Sequence, residues 1–158
     1  MTECKRILLP LDASPLAEEA IPWATALADK FGSEILLLHV LDIPEPSPVR
    51  SHPELTIGLV REARAQALRE ARRYLDAKQQ EIHRQGIPVR ALVCDESPAE
   101  DILRVAEREV VDLIVMSSHG QGGLARWTFG SVADKVARHS PCPVLLVRHA
   151  SAGTESSS

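Results

Sequence analysis

The sequence predicts an α/β fold in which five parallel strands form a doubly wound sheet with helices on both faces. Three observations carry that expectation. Short apolar runs alternate with longer amphipathic segments along most of the 158-residue chain. The apolar runs show no in-out alternation, the pattern of strands covered on both faces and hence of a parallel sheet. Right-handed crossovers between successive strands then place helices on either side.

Each element has its own signal. Arg6-Ile-Leu-Leu-Pro-Leu11 is the first apolar run. Ser14-Pro15 follows, with serine suited to cap a helix and proline to its first turn. Leu16, Ala20, Trp23, Ala24 and Leu27 then recur at helical spacing, and Gly32 closes the helix. Glu34 to Leu41 reads as the second strand. Residues 43–53 hold four prolines and read as an irregular loop. A long amphipathic helix is expected from about Leu55 to Gln85, with Leu59, Ala63, Ala67, Ala71, Tyr74 and Ile82 as its inner stripe and a charged, solvated outer face. Gly86 ends it. Pro88 to Cys94 is the third strand. Ser97-Pro98-Ala99-Glu100 reads as a capping box opening a helix to about Glu109. Val111 to Met116 is the fourth strand, Ser131 to His139 a short helix, and Pro143 to Val147 the fifth strand. Residues 1–149 are expected to form one domain, and the small, polar residues 150–158 a disordered tail.

Composition excludes several classes. A net charge of -4 argues against a nucleic-acid binder, which usually carries a basic surface. No apolar run approaches the length of a membrane span. The apolar run at the N-terminus is short and meets Asp12, so no signal peptide is expected there. Cys4, Cys94 and Cys142 are widely spaced and form no CxxC, which suits a reduced, cytoplasmic compartment and part-buried thiols. The six histidines show no metal-ligand spacing, so no metal site made by the protein alone is expected.

Doubly wound sheets bind ligands outside the carboxyl ends of their strands, where strand order reverses. The exits of the first strand (Pro10, Leu11, Asp12), the second (Val40) and the fourth (Ser117 to Gly130) therefore belong together. Residues 112–132 read DLIVMSSHGQGGLARWTFGSV. No lysine follows a glycine as a Walker A loop requires. Gly120 to Ala125 spells G-x-G-x-x-A, but at the wrong strand-to-helix turn and without an acidic residue about 20 positions on. A glycine does let backbone N–H groups approach a phosphate. Gly130-Ser131 opens a helix, whose unpaired amides and positive dipole end would face the loop. Ser131 can cap that helix or donate to a phosphate. On the residues alone, a phosphate site and a purely architectural loop stand level.

The whole stretch tips the balance. Ser117-x-x-Gly120, nine residues, then Gly130-Ser131 resembles the nucleotide motif of the universal stress protein family, G-x-x-G, nine residues, G-S or G-T. The context is similar too: Met-x-Ser-His-Gly, then Phe-Gly-Ser-Val-Ala-Asp-Lys-Val, the ending from Arg138 to Val147, and the opening Ile-Leu-Leu-Pro-Leu-Asp12-x-Ser-x-x-Ala-x-x-Ala. The resemblance covers about residues 3–148. It implies a Rossmann-like fold and a small dimeric stress-response or signalling module that binds ATP. It places Gly120, Gly130, Ser131 and Val132 near the phosphates, with Met116 and Ser117 lining the pocket. Pro10, Leu11 and Asp12 would flank the nucleotide. Val40 would offer adenine an apolar contact and backbone groups. Asp12 could accept from ribose hydroxyls or help hold magnesium beside the phosphates. The resemblance also implies a homodimer through the C-terminal edge strand, although Pro141 and Pro143 could instead blunt that edge.

One residue departs from the family pattern. Ser117 stands where the motif has its first glycine, and its side chain could crowd a ligand or donate to it. No catalytic constellation is recognised. His119 lies beside the loop, but the sequence pairs it with neither a nucleophile nor an orienting carboxylate. A binding module is therefore the expected class. A nucleotide-free interaction module on the same fold and a slow ATPase or phosphotransferase are the alternatives. The connection over 43–58 could cover the nucleotide or meet a partner.

Overall fold

The computed structural model describes residues 3–41, 43, 53–119 and 129–149. The elements run β1 (Arg6–Pro10), α1 (Pro15–Glu18), α2 (Ala20–Phe31), β2 (Glu34–Val40), α3 (Pro53–His83), β3 (Val89–Cys94), α4 (Pro98–Arg108), β4 (Leu113–Ser117), α5 (Ser131–His139) and β5 (Val144–Val147). The strands form one parallel sheet in the order β3-β2-β1-β4-β5. This is the doubly wound arrangement read from the sequence. Strand order reverses between β1 and β4, and β5 lies at an edge.

Alternate residues of each strand enter opposite apolar layers. Ile7, Leu9, Ile35, Leu37 and Val115 meet Ala24 of α2 and Leu75 and Ile82 of α3 on one face. Leu8, Leu36, Leu38, Ile114 and Met116 meet Ile102 and Val105 of α4 and Val136 of α5 on the other. Both layers exclude water, which is why the strands read as unbroken apolar runs.

Four local readings change. The helix expected after Ser14 is two pieces, α1 and α2, separated at Glu19. Pro22 is the physical cause: it has no N–H to give the carbonyl of Glu18, and its ring crowds that carbonyl. Trp23 is 56% exposed and so lies outside the inner stripe. Ala20, Ala24 and Ala28 form the buried row instead, letting α2 approach the sheet closely.

The inner stripe of α3 also begins later than expected. Leu59 is 71% exposed and Ala63 is exposed, whereas Ala71, Leu75 and Ile82 are buried. A 31-residue helix is roughly 46 Å long, while a seven-residue strand spans roughly 23 Å. The first turns of α3 consequently run past the end of the sheet. Of the connection over 43–58, residues 53–58 are helical. Residues 44–52 and the tail 150–158 lie outside the described residues.

The capping box at Ser97 does not form. Ser97 is extended at the N-cap, but its hydroxyl accepts no cap hydrogen bond. Glu100 reaches across to Lys135 of α5 at 3.0 Å instead. The fully buried Asp101 takes over, accepting the N–H of Glu96 at 3.0 Å and pairing with Arg104.

An ion network closes the opposite end of the sheet. Asp112 accepts the backbone N–H groups of Lys5 and Arg6, and Glu34 bridges Arg6 and Arg90. Burial works to raise the Glu34 pKa, but its arginine partners outweigh that and hold the carboxyl below the ordinary glutamate range.

Candidate functional site

The carboxyl ends of β1, β2 and β4 open into one cleft of about 660 Å³, within the usual range for a small-molecule site. Pro10, Leu11, Asp12, Val40, Met116, Ser117, Gly130, Ser131 and Val132 all line it. Gly120 lies outside the described residues, as do Gly122, Gly123 and Arg126. The structure thus brings together every described residue that the sequence singled out.

The β1 wall is held by a short turn. Asp12 Oδ1 accepts both the N–H and the hydroxyl of Ser14. Ser14 Oγ in turn accepts the N–H of Ala17 at 3.1 Å and caps α1. Ala13 between them takes a φ of 65°, the left-handed region. Asp12 is therefore a fixed member of the cleft wall.

The β4 wall ends in Ser117-Ser118-His119. Ser117 Oγ donates to the His119 carbonyl at 2.6 Å and accepts from the His119 N–H at 3.3 Å. Ser118 N–H extends the sheet by donating to Val147 O, and Ser118 O accepts the Gly130 N–H, both at 2.9 Å. His119 Nδ1 is 3.1 Å from Ser118 Oγ, and its buried Nε2 has no hydrogen-bond partner among the described residues.

Gly130 rather than Ser131 is the N-cap of α5. It contributes no side chain, and no side-chain hydrogen bond from the described residues caps the helix. The N–H groups of Ser131, Val132 and Ala133 find no acceptor among the described residues. These three residues line the cleft, and exposed amides at the positive end of a helix dipole favour negative charge.

Several lining residues escaped the sequence reading, His39 and Tyr74 chief among them. His39 Nδ1 lies 2.8 Å from Leu11 O. A carbonyl only accepts, so Nδ1 carries a proton and donates to it. Tyr74, tilted against His39 at 6.1 Å between ring centroids, donates its hydroxyl to Glu18 Oε1 at 2.8 Å. Burial, and then the Glu18 carboxylate, push the Tyr74 pKa well above the ordinary range, so the hydroxyl stays a neutral donor. Burial works to raise the Glu18 pKa. Hydrogen bonds from Lys78 and Tyr74 outweigh it and keep Glu18 ionised. A lone histidine within the apolar run of β2 was the available signal for this side of the cleft.

The electrostatics are one-sided. Among the described lining residues the carboxylates are Asp12 and Glu70, and there is no lysine or arginine. A bound anion would be met by backbone amides and hydroxyls. Among the described residues no cluster of three or more metal-ligating side chains exists. A magnesium ion here would be held by its ligand's phosphates and water, with Asp12 as the carboxylate within the cleft.

Comparisons with known proteins agree with this architecture. The profile of the universal stress protein family matches residues 3–148. A universal stress protein of Methanocaldococcus jannaschii, MJ0531, is 32% identical over 146 residues, covering 91% of this chain and 82% of the relative. The solved structure of MJ0577 superposes with a TM-score of 0.82 at 30% identity, covering 96% of this chain and all of that one. A family member from Arabidopsis thaliana, solved with AMP bound, shares the fold at a TM-score of 0.60 and 20% identity, over 96% of each chain.

Proposed function

The chain belongs to the universal stress protein family, and we propose that its cleft binds an adenine nucleotide, ATP with magnesium foremost. The observation that carries this reading is the open N-terminus of α5 at the mouth of the cleft, with three amides lacking an acceptor among the described residues. Gly130, Ser131 and Val132 receive the phosphates there, with Gly120 completing the loop. Met116 and Ser117 line the β4 side. Pro10, Leu11 and Asp12 flank the ribose, and Val40 meets the base. Magnesium would neutralise phosphate charge that no described lysine or arginine of the cleft meets. The AMP in the Arabidopsis thaliana structure belongs to that protein and makes adenine the first base to try.

In this reading the chain is a nucleotide-dependent stress-response or signalling module of the cytoplasm. Its three free thiols suit a reduced compartment. Among the described residues no helix is long and apolar enough to cross a membrane. The exposed edge of β5 pairs with a second copy, burying strand groups that would otherwise invite aggregation.

The test is mass spectrometry and absorbance of the small molecules released by denaturing freshly purified protein, followed by titration with Mg-ATP. Near-stoichiometric adenine nucleotide, or saturable binding of added Mg-ATP, supports the reading. An empty protein that binds none overturns it. Light scattering on the same sample tests the dimer.

A further inference from the structure

Ser117 occupies the place of a glycine in the family's motif, and it lines the cleft in which the nucleotide reading brings backbone and ligand close together. Two physical consequences are possible: obstruction of the ligand, or a new role for the hydroxyl. The hydrogen bonds decide between them. Ser117 Oγ is turned into its own loop, donating to the His119 carbonyl at 2.6 Å and accepting from the His119 N–H at 3.3 Å. With the donor hydrogen spent on a carbonyl, the hydroxyl has none to offer a phosphate. It also fixes the backbone two residues on, as serine does in short turns.

That turn sits at a junction. The residue between the bonded pair, Ser118, is 2% exposed and ties the loop to β5 through Val147 O and to the N-cap of α5 through the Gly130 N–H. Both stems of the phosphate loop therefore meet at Ser118, and Ser117 sets the direction in which the chain leaves it. Gly130 itself has a φ of -58°, open to any residue, so hydrogen bonds rather than a glycine-only backbone define the junction.

We infer that Ser117 is a positioning residue whose hydroxyl fixes the Ser117–His119 turn and so presets the amides at Gly130–Val132 for an anion. This rests on the nucleotide reading of the same cleft for its effect on binding, and on the free protein alone for its effect on the turn. A glycine here would leave the turn to be ordered by the ligand, and ordering on binding weakens affinity.

The sign of one substitution separates the two consequences. If the side chain obstructed the cleft, Ser117→Gly would tighten Mg-ATP binding; as a positioning residue, its loss weakens binding. The expected result is about fivefold weaker binding for Ser117→Ala, the worth of one net hydrogen bond, at least as large a loss for Ser117→Gly, and recovery in Ser117→Thr, which keeps the hydroxyl. Amide hydrogen exchange and backbone chemical shifts at His119 and Gly130, read in the nucleotide-free protein, should loosen in the Ala and Gly variants and return in Thr. Tighter binding by Ser117→Gly, or unchanged exchange at both positions in Ser117→Ala, overturns the inference. If the parent protein binds no nucleotide, the nucleotide reading fails while the exchange comparison still decides the role of the hydroxyl.

Discussion

Gly130→Ala separates the architectural use of this glycine from its use at a ligand. The backbone at Gly130 is φ -58°, ψ 155°, which alanine adopts without strain. A Cβ built there would meet Ser118 O at 3.4 Å and the His119 Cα at 3.7 Å, ordinary contacts that ask for no shift of the chain. The cost to the fold is that of a poorer N-cap, about 0.5–1 kcal/mol, and at this chain length that lowers Tm by roughly 1–4 °C. The cost to a bound phosphate is larger. If phosphate sits at this helix end as proposed, a methyl group at the N-cap adds bulk beside the amides of Ser131 and Val132. Losing one charge-assisted hydrogen bond costs about 1.5–3 kcal/mol. Affinity for Mg-ATP should therefore fall by roughly 10- to 150-fold. Calorimetric titration gives the affinity and a thermal melt the stability, on one preparation. Parent-like affinity in a normally folded variant would refute the placement of phosphate at this helix end.

Three further outcomes follow from the fold. Leu36→Ala empties a fully buried position on β2 and should cost about 2–5 kcal/mol, read as the midpoint of urea unfolding; a loss under 1 kcal/mol would contradict the packing described. Val110 holds a φ of 51° while 75% exposed, so Val110→Asn, which tolerates that region, should raise stability by about 1 kcal/mol; a decrease would mean that the valine side chain makes a contact worth more than the strain. Glu18 and Glu34 have pKa values lowered from 4.5 in the fold, so the stability they lend is present above that value and drains as pH falls through the lowered ones. Urea midpoints should drop on acidification below about pH 4.5, and Glu34→Gln should flatten the slope; an unchanged slope removes Glu34 from the network.

Legibility in the sequence tracks how local the determining physics is. β1, β2 and β4 were readable because each is an apolar run bounded by turn chemistry. Gly32 could be read as a helix end because its φ of 68° suits glycine. The break at Glu19 had a signal in Pro22, overshadowed by a helical spacing that continues across it. The capping box at Ser97 failed for a non-local reason: Glu100 had a better partner in Lys135, 35 residues away. The cleft was legible wherever motif and strand exit coincide, as at Asp12, Met116 and Gly130. His39 and Tyr74 were not, because their roles arise from a contact between β2 and α3 that no spacing encodes. The direction of the Ser117 hydroxyl is equally a property of the folded turn.

The overhang of α3 gives the cleft an uneven wall. Leu55, Ile57 and Leu59 stand in solvent, and these turns are tied down at Arg64, which pairs with Asp95 beyond the end of β3. Burial begins at Ala67 and Ala71, and these are the residues of the helix, with Glu70 and Tyr74, that line the cleft. Opening confined to these exposed turns would break few contacts with the sheet. Local opening there costs far less than global unfolding.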